Sequence, residues 1–82
     1  MNQTRQLYPR IESDPEIGRG QPVIAGTRMS VEIILERLAD GRSVEELLDS
    51  YPFLAREDIS AALGYAAHLV ATLALHEEQA AS

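Results

Sequence analysis

The sequence contains no cysteine and no lysine, and each absence narrows what the chain can be. Without cysteine there is no disulfide framework and no thiolate metal site, a composition that suits a reducing cytosol. All seven basic residues are arginines, fixed cations able to bond carboxylate or phosphate bidentately, although a genome biased towards Arg and Ala codons would give the same composition. The opening residues, MNQTRQLYPRIESD, lack the apolar segment of a signal peptide. The longest apolar stretch, Ile59 to Leu75, is interrupted by Ser60, Gly64, His68 and Thr72, and its 17 residues only reach the lower limit of a membrane span. The expectation is a soluble, cytoplasmic protein with no membrane partner.

Catalytic chemistry is equally sparse. His68 and His76 would stand about 12 Å apart along a helix, too far to grip one metal ion. There is no G-x-S-x-G, and IGRGQP lacks the strand, third glycine and following helix of a dinucleotide site. Glu45 with Glu46, and Glu57 with Asp58, lie at helix starts, where capping and the helix dipole account for them. Tyr51 and Tyr65 read as core or interface aromatics. No catalytic residue, cofactor or metal is expected, and the chain does not read as an enzyme.

What is present is a single domain of 82 residues with net charge −6. A domain this small buries only a little over ~60% of its unfolded surface, so a partner subunit would help it. The charge is uneven: residues 1–30 carry four arginines against three carboxylates, net +1, and residues 31–82 carry three against ten, net −7. The helical half therefore repels phosphate.

Along the chain, residues 1–7 read as a flexible N-terminus, 8–29 as a β-ribbon, and 30–78 as a helix-turn-helix core with a long C-terminal helix. The ribbon pairs Tyr8–Ser13 with Pro22–Ala25 across Asp14-Pro15 and the glycines of IGRGQP, as a hairpin that must pack on the helices or on another chain. Ser30 caps a first helix with Val31, Ile34, Leu35 and Leu38 on one face, and Gly41 stops it. Ser43 and Glu46 form a capping box for a second helix, which buries Val44, Leu47, Leu48 and Tyr51 and ends before Pro52. A third helix starts near Arg56, with Ala55 a poor cap.

The third helix is the informative one. Ile59, Ala62, Leu63, Ala66, Val70 and Leu73 form an apolar stripe expected to pack on the first two helices. Tyr65, Leu69 and Thr72 lie beside it, and Ser60, Gly64, Ala67, Ala71 and Ala74 make a ridge of small residues. A helix apolar or small all round is usually buried, and three short elements cannot surround it. A second copy is expected to cover it, giving a homodimer or higher oligomer with Tyr65, Leu69, Thr72, Gly64, Ala67 and Ala71 at the interface. The alternative is an alanine-rich helix whose small face tolerates water. If the helix reads DNA, its first turns offer only Arg56 and Ser60 as useful contacts on a net acidic surface, so the chain's own promoter DNA ranks second among partners.

The stretch GQPVIAGTRMSVEIILERLADGRSVEELLDSYPFLAREDISAALGYAA resembles the short prokaryotic domain-of-unknown-function family numbered four-three-three. Its members run G-x-P-x-I-x-G-T-R, then a helix, S-x-E-E-L, Y-P-x-L and A-A-L-x-Y-A. The matches here include Gly20, Pro22, Ile24, Gly26, Thr27, Arg28, Gly41, Ser43, Glu46, Tyr51, Pro52, Leu54 and Tyr65. The likeness spans about residues 10 to 68 and departs at Ala55, where members carry Thr or Ser. It implies a mostly α, homeodomain-like three-helix helix-turn-helix with an N-terminal β-hairpin and a long C-terminal helix. By association with PIN-like nucleases it also implies a VapB-type antitoxin. That role would give Arg28 or Arg19 a purpose, since a guanidinium inserted among a nuclease's metal-binding carboxylates competes for them. Alternatively Gly26 simply permits a turn and Arg28 pairs with Glu32. Three readings stand: an antitoxin for a PIN-like nuclease, a DNA-binding regulator, and a homodimeric structural module with neither activity.

Overall fold

A computed structural model describes the backbone of residues 3–81 and the side chains of residues 3–75. Strands β1 (Arg5–Tyr8), β2 (Ile11–Ser13) and β3 (Val23–Ile24) precede helices α1 (Val31–Ala39), α2 (Val44–Ser50) and α3 (Arg56–Ala81). The strands form one antiparallel sheet in the order β1-β2-β3, with Tyr8 opposite Ile11 and Ile11 opposite Ile24.

The expected two-stranded ribbon is thus a three-stranded sheet. Tyr8–Ser13 is not one strand but the two sides of a tight turn at Pro9-Arg10, and β1 includes residues 5–7, where a flexible terminus was expected. The turn has no glycine; Arg10 itself takes the left-handed conformation, φ 71°. For a non-glycine residue that costs roughly 1 kcal/mol locally, and the compensation is tertiary. The Arg10 Nη1 donates to Asp58 Oδ1 at 2.9 Å, across 48 residues of sequence, and the Arg10 carbonyl accepts from the Ala25 amide.

The helices follow the sequence pattern closely. The Ser30 hydroxyl accepts from the Ile33 amide to open α1. At its end Gly41, φ 96°, lets the Gly41 and Arg42 amides return to the carbonyls of Leu38 and Arg37. That is the Schellman closure of a helix. Ser43 and Glu46 make both bonds of a capping box on α2. Alanine at position 55 cannot cap α3, so Asp58 does it from inside the helix: its Oδ2 accepts from the Ala55 amide at 2.8 Å while Oδ1 takes Arg10.

One core results, with Ile11, Ile24, Ile34, Leu47, Ile59 and Ala62 almost wholly buried. Tyr65 closes one side of it, its ring 5.9 Å from that of Tyr8. Helix α3 has 26 residues, about 39 Å at 1.5 Å per residue, whereas α1 has nine and α2 seven. It therefore runs past the body that packs on its first half. By length and composition the segment Arg56–Leu75 could cross a membrane. Its residues Ile59, Ala62 and Tyr65 are core, so insertion would require the domain to come apart.

Two outcomes test this arrangement. Asp58→Ala removes a cap and a buried half of an ion pair and is expected to cost about 2 kcal/mol in urea unfolding. Arg10→Ala costs less, about 1 kcal/mol, because its side chain is half exposed. The Glu46 carboxyl is held below the ordinary glutamate value chiefly by the Ser43 amide and then its hydroxyl, with Arg42 adding to this and burial opposing it. A lowered folded-state value means the stabilisation is complete above the unfolded value and fades as pH falls through the folded one. Glu46→Gln should therefore flatten the loss of stability between about pH 6 and pH 3.

Candidate interaction sites

The sequence-predicted residues fall into three places. Arg56 and Ser60 are exposed at the start of α3, where the Arg56 Nη2 donates to Glu45 Oε1 of α2 at 2.7 Å. The exposed neighbours of Arg56 are the carboxylates Glu45 and Glu57, so the surface that would face a phosphate backbone carries more negative than positive charge. Arg19 and Arg28 are exposed on separate turns of the N-terminal region. Arg19 occupies the single 3-10 turn Gly18–Gly20 with φ 60°. The ion pairs among the described residues are Arg10 with Asp58 and Arg56 with Glu45, so Arg28 does not make the local pair with Glu32.

The remaining candidates lie on α3. Tyr65 belongs to the chain's own core, and Gly64 is covered by Tyr8: a Cβ there would meet the Tyr8 hydroxyl at 2.7 Å. Leu69, Ala67 and Ala71 are exposed, as is Thr72, whose hydroxyl donates to the His68 carbonyl. The expected stripe is only partly satisfied. Ile59 and Ala62 pack in the core, but Leu63, Val70 and Leu73 are exposed at 48%, 65% and 62%. Leu63 is turned about 100° or more from its buried neighbours Ala62 and Tyr65, while Val70 and Leu73 lie beyond the body. At 100° per residue, Ile59, Ala62, Ala66, Leu69 and Leu73 lie within about 80° of one another. The face that is buried in the first turns therefore continues, equally apolar, after its cover has ended.

A shallow apolar groove of about 510 Å³ between α1 and α3 leads onto this overhang, lined among others by Leu35, Ala39, Ala66 and Leu69 with Glu32 and Glu36 on its rim. A second groove, about 480 Å³, lies on another side, where the turn Gly26–Met29 meets Tyr51 and Phe53. Phe53 is 58% exposed and its ring stands edge-on to Tyr51 at 6.1 Å. Sequence reasoning missed Phe53, which has no helical periodicity to place it. The G-T-R and Y-P-x-L signatures had both been visible, and only the fold shows that they meet. Among the described residues no group of three or more His, Asp or Glu could hold a metal ion, and every buried side-chain polar atom is hydrogen-bonded.

A family model described as protein of unknown function, DUF433, matches residues 11–66. The uncharacterized protein y4eO of Sinorhizobium fredii (strain NBRC 101917 / NGR234) is 41% identical over 56 residues, which is 68% of this chain. The matched segment spans 25% of that protein's length, so there it is one module of a longer polypeptide. No solved structure matches the chain. The match takes in β2, β3, α1, α2, the first part of α3 and both walls of the second groove; it leaves out β1 and the Arg10 turn, and stops at residue 66. Because Phe53 touches little of the core, Phe53→Ser should move the unfolding free energy by less than about 0.5 kcal/mol, measured by urea denaturation.

Proposed function

The chain belongs to the DUF433 family of proteins of unknown function, and we propose that it is a non-enzymatic, cytoplasmic binding module of the antitoxin type, acting as a homodimer or higher oligomer on a PIN-like nuclease. The observation that carries this reading is the overhang of α3. Leu69, Val70, Leu73 and Leu75 stand exposed on a helix with no charged side chain between residues 61 and 75 other than His68 when protonated. Burying such a surface yields roughly 25 cal/mol per Å², and a second polypeptide is the simplest cover. Leu69, Thr72, Ala67 and Ala71 are the interface residues of that reading. The small side chains allow a partner helix to approach closely, while Gly64 and Tyr65 act from beneath Tyr8 rather than at the contact itself.

Nuclease binding draws on the N-terminal arginines. Arg28 and Arg19 are exposed and have no carboxylate partner among the described residues, which leaves their bidentate capacity for a partner's acidic site. The order α1-α2-α3 with tight intervening turns is what a homeodomain-like helix-turn-helix requires. A DNA-binding role through Arg56 and Ser60 is weaker, since Arg56 is engaged by Glu45. Autoregulation of an operon would need basic surface contributed by the complex.

Sedimentation equilibrium at high micromolar loading is expected to give a dimer or larger species for the wild type and a monomer for Leu69→Glu/Leu73→Glu. A wild-type monomer would remove the basis of the reading. Co-expression with the nuclease of a neighbouring gene should yield a co-purifying complex that loses neutralisation in Arg28→Ala/Arg19→Ala, and independent purification of the two proteins would refute the antitoxin role.

A further inference from the structure

The groove between the Gly26–Met29 turn and the Tyr51–Phe53 corner is left unexplained by self-association through α3, because it lies away from the overhang. We propose that it is a docking site for an extended segment of a partner protein that carries an apolar side chain, aromatic or branched, next to a carboxylate.

The apolar half of the site is made by Met29, Tyr51 and Phe53. Met29 is buried and supplies an adaptable floor, while Tyr51 holds the exposed Phe53 ring edge-on. A volume near 480 Å³ accommodates one or two side chains rather than a whole helix.

The charged half is Arg28. Arg28 stands on the wall of the groove itself, is exposed, and makes no ion pair among the described residues, unlike Arg10, held by Asp58, and Arg56, held by Glu45. Glu12 of the neighbouring strand β2 accepts from the Gly26 amide at 3.1 Å and makes no ion pair with Arg28. A guanidinium beside an apolar slot selects an acidic neighbour for the residue that fills the slot.

The turn that forms one wall is held by hydrogen bonds of its own. The Thr27 hydroxyl donates to the Ile24 carbonyl at 2.8 Å and accepts from the Met29 amide at 3.0 Å, and Gly26 supplies the left-handed residue, φ 77°. Such a latched turn fixes the backbone that carries Arg28, so that on binding only its side chain has to be ordered. Both walls lie within the family-matched segment, residues 11–66. The inference does not rest on a nuclease being the partner.

The test pans a random-peptide phage library against the full-length protein and measures the leading peptide by fluorescence anisotropy. The expected consensus is an apolar residue adjacent to Asp or Glu. Affinity should fall about ten-fold or more in Arg28→Gln, in Phe53→Ser, and when the peptide's carboxylate is replaced by its amide. It should also weaken as salt is raised. Both residues are exposed, so unfolding midpoints should be unchanged, and Arg28→Lys should retain part of the binding. No enrichment, a consensus without a carboxylate, or binding indifferent to Arg28→Gln and Phe53→Ser would overturn the proposal. A wild-type oligomer that dissociates in those two variants would overturn it as well, since a second copy would then be the occupant. No nuclease enters the experiment, so loss of the antitoxin reading would leave its outcome intact.

Discussion

Asp58 ties the start of α3 to the corner of the β1–β2 turn, at a junction that the Tyr8 and Tyr65 rings also pack together. One of its oxygens accepts from the Ala55 amide and fixes where α3 begins; the other holds Arg10 at the corner of the β1–β2 turn. Because the helix begins there, Ile59, Ala62 and Tyr65 arrive at the core in the right phase. The same phase decides which face of α3 emerges bare beyond the body. A buried carboxylate is costly unless its bonds are satisfied, and both oxygens of this one are.

The helical part of the fold was legible because its signals are local. Ser30, the Ser43–Glu46 box, Gly41 and Pro52 each act on residues within a turn of themselves, and the apolar spacing of α1 and α2 needs no tertiary knowledge. Strand β1 was not legible, since the turn after it uses an arginine at positive φ whose support comes from 48 residues away. Position 55 misled in the same way: the missing cap is replaced by a residue three places on. On α3 the apolar character was plain, but periodicity does not report where a neighbouring helix ends. Val70 and Leu73 therefore fall beyond the core, whereas Leu63, between buried Ala62 and Tyr65, is exposed because the core covers a narrower face of α3 than the apolar stripe. The second groove could not be read at all from spacing, because its walls are separated by some two dozen residues and meet only through the packing of α2 on α1 and α3.

The two surfaces differ in kind. The overhang is long, apolar and almost uncharged, and its affinity for a cover would come from area with little discrimination between covers. The groove is small, latched by Thr27 and marked by one cation, features that favour selectivity over strength. Only the groove falls wholly inside the family-matched residues.

Helix α3 leaves the body without a break, and that continuity has a geometric consequence. Each residue of an α-helix advances the azimuth by about 100° and the position by about 1.5 Å. Whatever grips the distal half of α3 is thereby clocked against the sheet and the Arg28 turn. Deleting one residue between positions 67 and 74 would swing the attached object about a quarter of the way round the body, whereas removing seven consecutive residues would nearly restore its bearing at a shorter reach.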